Sequence, residues 1–183
     1  MSRVQLVGST SPTLSPDRQA LLGEVHGAFG ATPNMFRAVA NSPAALRSMW
    51  GAFGALGSGV LGAKLGEQLA VAVANVNSCG YCLAAHTALG RKAGASRDEM
   101  QAAQIGEAND SRTTAALQFA LKLVRERGQV GDEDVQELRA AGFGDEEIVE
   151  IIAHVALNLF TNYVNVALDV PLDFPRVNLI PAS

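Results

Sequence analysis

The sequence predicts an all-α protein, and three observations carry that expectation. Capping and turn signals separate stretches whose apolar residues recur at helical spacing along nearly the whole chain. No run shows a convincing series of β-strands. The one stretch with strand-like alternation, LAVAVA at 69–74, has helix formers on both sides and reads as helix.

Residues 1–14, rich in Ser, Thr and Pro, read as an irregular arm. Ser15-Pro16 then supplies an N-cap followed by proline at the first helical position, with Leu21, Leu22, Val25 and Phe29 striped behind it. Gly30 to Thr32 break this helix, and Thr32-Pro33 opens a short one carrying Phe36 and Val39. Ser42-Pro43 repeats the start signal ahead of Leu46, Met49, Trp50, Phe53 and Leu56. A breaker region at 57–62 precedes a helix whose apolar residues surround it rather than stripe it, which predicts a buried element. A turn at Asn77-Ser78 leads into a helix from about Cys79 to Lys92, closed by Gly94.

Ser96-x-x-Glu99 is a capping-box pattern opening a short helix to about Gln104. Asp110 caps the next helix, which turns Ala116, Leu117, Ala120, Leu121 and Val124 inward and stops at Gly128. Asp132 to Ala140 is short, with Val135 and Leu138, and ends at Gly142. Asp145 opens the longest helix, to about Leu168, with Ile148, Ile151, Ile152, Val155, Leu159 and Val164 as its apolar face. Pro171 stops it and leaves a tail at 171–183. The expectation is a single domain over 1–183.

Composition narrows the function. A chain of 183 residues can bury a sizeable core, and 48% hydrophobic against 17% charged residues excludes disorder. A surface so poor in charge favours a homo-oligomer. A formal net charge of −4, a pI near 5.3 and no cluster of Lys or Arg interleaved with aromatics argue against a nucleic-acid partner. The N-terminus has no continuous apolar run of the secretory kind, and no stretch approaches the roughly 18 apolar residues of a membrane span. The expected setting is cytoplasmic, without membrane association. In a reducing compartment a close cysteine pair points to redox or metal chemistry rather than to a stabilising framework.

Residues 67–86, EQLAVAVANVNSCGYCLAAH, hold both cysteines, Cys79 and Cys82, with His86 four residues after the second and Glu67 twelve before the first. On a helix, Cys79, Cys82 and His86 fall within about 60° of one another, on one face. Cys79 sits at the helix start, where free N–H groups and the macrodipole favour a thiolate. His86, one turn beyond Cys82, is placed to take its proton directly or through a water. Glu67 is an isolated carboxylate on a buried helix, and such groups pair or hold a raised pKa. It is a candidate terminus for a proton relay. Each of these residues also has a plain structural reading: two small buried thiols, and a helix-end salt-bridge carboxylate.

Competing motifs fail on particular residues. A c-type haem site needs histidine where Leu83 stands, and a zinc deaminase needs His-x-Glu where His26 is followed by Gly27 and Ala28. A thioredoxin fold needs βαβ order around the Cys-Gly-aromatic-Cys run. A structural zinc site from two thiolates, an imidazole and a carboxylate stays open, though one helical face rarely supplies three tetrahedral ligands.

The pattern Glu67-x11-Cys79-x2-Cys82-x3-His86 resembles the active-site signature of the alkylhydroperoxidase D family, within the carboxymuconolactone decarboxylase superfamily. The segment GATPNMFRAVANSPAALRSMW is similar to the N-terminal region of its peroxidase-related members, and GFGDEEIVEIIAHVALNLFTNYVNVALDVPLDF to their C-terminal helix and tail. The resemblance implies an all-α, alkylhydroperoxidase D-like orthogonal helical bundle, assembled as homo-oligomers, often trimers or hexamers. It implies a thiol-dependent peroxidase acting on hydroperoxides without a cofactor, recycled by a thiol or dithiol reductant of protein or lipoyl type. Carried across, Cys82 attacks the peroxide, His86 deprotonates it with Glu67 behind through water, and Cys79 resolves from a position nearer the surface. One position departs: Tyr81 stands where the family's best-studied relay has a histidine, so its hydroxyl either donates near the thiolate or simply packs.

His154, Asn158 and Asn162 fall at four-residue steps on the last helix, with Asn165 three further on. They read either as a polar lining of the site or of a subunit contact, or as hydrogen-bonded groups on a partly buried face. His26 reads as helix surface. The alternative functions are a decarboxylase or lactone-processing enzyme of the same superfamily, and a non-catalytic metal-binding or scaffold protein.

Overall fold

The computed structural model describes residues 2–8 and 14–181. Among these are nine helices and no strand: α1 (Pro16–Phe29), α2 (Asn34–Val39), α3 (Pro43–Gly57), α4 (Ala63–Val76), α5 (Gly80–Lys92), α6 (Arg97–Ala103), α7 (Ser111–Arg125), α8 (Asp132–Ala140) and α9 (Asp145–Ala167). None is long and apolar enough to cross a membrane.

The predicted starts are chemical. Pro16 and Pro43 occupy first-turn positions, where a missing N–H costs nothing. Ser42 Oγ accepts from Ala45 N–H at 3.2 Å and Asp110 Oδ1 from Thr113 N–H at 2.8 Å. Ser96 and Glu99 close the reciprocal box, at 3.1 and 2.7 Å. α8 and α9 begin after glycine and use half of that device: Asp134 and Glu147 reach back to the N–H groups of Gly131 and Gly144.

α4 is the hub, packed by α5, α6, α7 and α9. Every residue from Gln68 to Ala74 is buried, as the all-round apolar pattern predicted. Alternating Ala and Val let four neighbours approach at once, and each fully buried core leucine, such as Leu69, Leu83 or Leu117, contributes about 1.5–3 kcal/mol over leaving it exposed. Ser78, at φ 54°, makes the left-handed step that folds α5 back along α4.

The outer elements close around this hub. Phe29, Phe36, Trp50 and Phe53 pack ring against ring with Phe36 central, at 5.7–5.8 Å to each of the other three. Residues 2–8 of the arm are irregular but docked: Arg3 N–H donates to Leu168 O, and Val7 exchanges hydrogen bonds with Arg37. Residues 9–13 of the predicted arm, and 182–183 of the tail, lie outside the described residues. The tail is pinned where Asn75 and Ile180 exchange two hydrogen bonds, at 3.0 and 2.9 Å.

α9 departs from its predicted face. Ile148, Ile151 and Val155 are buried, but Ile152 is 43% exposed, while Asn158, Asn162 and Asn165 turn inward. The helix buries polar side chains and shows apolar ones, so hydrophobicity alone misplaces its inner side.

Candidate active site

Three helices converge on the cysteine pair. Cys79 is the N-cap of α5, its Sγ accepting from Cys82 N–H at 3.2 Å, and it is joined to Cys82 by a disulfide. From α9, Asn165 Nδ2 donates to Cys82 Sγ at 3.2 Å. From α4, Glu67 Oε2 lies 2.7 Å from His86 Nδ1. A carboxylate accepts, so Nδ1 carries the proton and Nε2 is left as the imidazole's base. This contact is direct, where the expectation put water between the two groups.

Cys82 and His86 share one cleft with Phe29, Phe36, Phe53 and Phe174, which Thr161 and Asn165 also line. Behind His86 is a second cavity, lined by Gly66, Glu67, His154 and Asn158. His86 and Phe53 are the residues common to both, so the imidazole forms part of the wall between sulfur and carboxylate. His154 lies against α4 at a position without a side chain: a Cβ on Gly66 would come within 3.0 Å of His154 Cε1. Burial holds the His154 pKa below the usual imidazole range, against the opposing pull of Glu150 and Glu67. Its Nε2 has no hydrogen-bond partner.

The core of the chain, residues 43–126, matches the carboxymuconolactone decarboxylase family model. That segment holds Glu67, Cys79, Cys82 and His86. Its fold is similar to that of a peroxidase-related protein from Silicibacter sp. TM1040, at 26% identity and a TM-score of 0.81, covering 93% of this chain and 91% of that one. A second peroxidase-related protein, from Ralstonia eutropha JMP134 and described as an alkylhydroperoxidase AhpD core, gives 26% identity, a TM-score of 0.83, and 94% and 92% coverage. The debrominase Bmp8, in complex with 2,3,4-tribromopyrrole, shares the fold at 20% identity, with a TM-score of 0.78 and 94% of each chain covered. No match is found among curated proteins.

One expectation needs correction, and one open choice is narrowed. Cys79 is not nearer the surface: it is 1% exposed and Cys82 2%. Tyr81 lines the same cleft as Cys82, but its hydroxyl is engaged elsewhere. Its hydroxyl accepts from Met35 N–H at 3.2 Å and bonds Asp173, and its ring stands edge-on to Phe174 at 5.7 Å. Burial and the Asp173 carboxylate raise the Tyr81 pKa, so the phenol stays protonated. Tyr81 packs and ties the tail.

The polar series on α9 divides. Asn165 reaches Cys82; Asn162 Oδ1 accepts from Asn77 Nδ2 at 3.0 Å, at the α4–α5 turn; Asn158 bonds the His154 carbonyl. Asn165 is the site residue that sequence reasoning left unassigned, and its signal was an asparagine on the polar side of an otherwise apolar helix. His26 is exposed, as expected. Among the described residues, no three His, Cys, Asp or Glu side chains form a metal-binding group.

Proposed function

We propose that the chain is a thiol-dependent peroxidase reducing organic hydroperoxides, with Cys82 attacking, Cys79 resolving, His86 the base and Glu67 its orienting partner. The observation that carries this reading is that Cys82 and His86 line one aromatic-walled cleft while Glu67 holds the imidazole from the other side. His86 takes the Cys82 proton, and the thiolate attacks one peroxide oxygen. The O–O bond breaks, an S–O bond forms, and the leaving alkoxide takes the proton back as alcohol. Cys79 then attacks the Cys82 sulfenic sulfur; the S–S bond forms and hydroxide leaves as water with the Cys79 proton. Two cysteine electrons have reduced one peroxide. A dithiol reductant, of protein or lipoyl type in a reducing cytoplasm, returns two electrons and two protons by exchange. The apolar cleft suits an alkyl or aryl hydroperoxide better than hydrogen peroxide, whose two hydroxyls find few partners there.

Peroxide consumption by wild type, Cys79→Ser and Cys82→Ser tests the reading. The expected result is turnover in wild type, a single stoichiometric burst in Cys79→Ser and neither in Cys82→Ser. An unchanged thiol titre after peroxide treatment of the reduced protein overturns it. A second reading draws on the cavity lined by Glu67, His86 and His154: acid–base processing of a carbonyl substrate, as the superfamily's decarboxylase name suggests. That chemistry needs no sulfur, so Cys82→Ser would spare it.

A further inference from the structure

A cavity of about 620 Å³ opens where another face of α5 meets α6 and the C-terminal tail. Its volume falls within the range of small-molecule sites. Thr87 and Arg91 line it at a spacing of four on α5. Arg97, Met100 and Gln104 line it from α6 and its C-cap, at spacings of three and four, so they share one side of that helix. The tail adds Arg176, Val177 and Ile180, and the two hydrogen bonds between Asn75 and Ile180 hold that wall in place. None of these residues lines the cysteine cleft.

Two independent observations point to a ligand. The guanidinium groups of Arg91, Arg97, Arg125, Arg127 and Arg176 have no hydrogen-bond or ion-pair partner among the described residues, and three of these five line this cavity. No Asp or Glu lines it with them. Gln104 is 3% exposed, and its Oε1 and the Thr87 hydroxyl oxygen are buried with no hydrogen-bond partner in the protein. The other buried side-chain atoms in that state belong to His154, Asn162 and Asn165 on α9. Unpaired buried polar atoms are costly, and here they lie beside unpaired cations.

We propose that this cavity binds a nucleotide. Guanidinium groups from three separate elements match the oxygens of a phosphate chain through paired N–H donors. The arginines are exposed, whereas Gln104 is buried, so the phosphates lie outward and the rest of the ligand inward. A bare anion would set its own acceptors against Gln104 Oε1. A ribose hydroxyl donates to that oxygen and can accept from the Thr87 hydroxyl. Met100, Val177 and Ile180 give the base an apolar surface. The arginines alone would suit any acidic partner; the buried Thr87 and Gln104 atoms call for a group small enough to enter the cavity. The inference rests on no property of the cysteine site.

Isothermal titration calorimetry of the whole chain against ATP, tripolyphosphate and adenosine decides it. ATP should bind saturably, and about tenfold or more tighter than either of its halves. Arg91→Gln and Arg176→Gln should each weaken ATP by about tenfold or more, since each removes charge-assisted hydrogen bonds. Arg125→Gln, equally unpartnered but outside the cavity, should leave binding unchanged. Gln104→Leu should weaken ATP and leave tripolyphosphate as it was. The absence of saturable ATP binding, tripolyphosphate as tight as ATP, or equal weakening by Arg125→Gln overturns the proposal. So does a wild type that binds no ATP while Arg91→Gln loses subunits in sedimentation, which marks a protein contact instead. The exchanged arginines are exposed and unpartnered, so these variants test binding without putting the fold at risk.

Discussion

Asn165→Leu isolates the side-chain hydrogen bond that, among the described residues, reaches the Cys82 sulfur. The substitution keeps the branching and the number of heavy atoms and removes the Nδ2 donor 3.2 Å from Cys82 Sγ. A hydrogen bond to a charged acceptor contributes about 1.5–3 kcal/mol net. At 1.36 kcal/mol per unit, its loss raises the Cys82 pKa by about 1–2 units. Sulfur is the weaker kind of acceptor, so the lower figure is expected. The sign follows from which form is stabilised: the donor favours the thiolate, so removing it favours the thiol. Iodoacetamide alkylation against pH reads this directly. Cys79→Ser is the suitable background, since serine keeps the N-cap acceptor of α5. The alkylation midpoint should rise by about 1 unit and the rate below it fall about tenfold, with the high-pH plateau unchanged. A midpoint moving by less than about 0.3 unit, or downward, refutes the assignment of Asn165 to the thiolate.

Three further outcomes follow from the same contacts. Tyr81→Phe leaves the Met35 N–H without its acceptor and should cost about 1–3 kcal/mol in urea unfolding while leaving the Cys82 alkylation midpoint in place; a shifted midpoint would return Tyr81 to the sulfur. His154, with its pKa lowered in the fold, is neutral at pH 7 and takes up a proton more readily when unfolded. Its stabilisation is therefore present above about pH 6.5 and lost as pH falls toward the folded value, so His154→Gln should flatten the acid side of the stability curve. Ser96→Ala removes the capping-box acceptor and should cost about 1 kcal/mol, lowering Tm by about 2–4 °C.

Most of the fold was legible because most helix starts are local chemistry. Ser15-Pro16, Ser42-Pro43, Ser96-x-x-Glu99 and Asp110 mark theirs by residues within one turn, which a sequence displays in full. The site was half legible. Cys79, Cys82 and His86 share one helix, so their common face follows from 100° per residue. Glu67 meets His86 only because Ser78 turns α5 back along α4, a contact that the turn permits but spacing does not fix. The position of Asn165 depends on how α9 lies across both, and no periodicity encodes that. The depth of Cys79 was misread for the same reason: spacing along one helix does not show what packs over its start.

α9 joins these points. A helix that turns asparagines inward bears a desolvation cost that an isolated subunit must offset contact by contact. Asn158, Asn162 and Asn165 each make one bond, yet Asn162 Nδ2, Asn165 Oδ1 and the neighbouring His154 Nε2 stay unpaired. Such atoms weaken the folded state and are retained where the polar group serves chemistry. On the other side of the same helix, Val149, Ile152, Tyr163 and Val166 are only partly covered by the chain's own core.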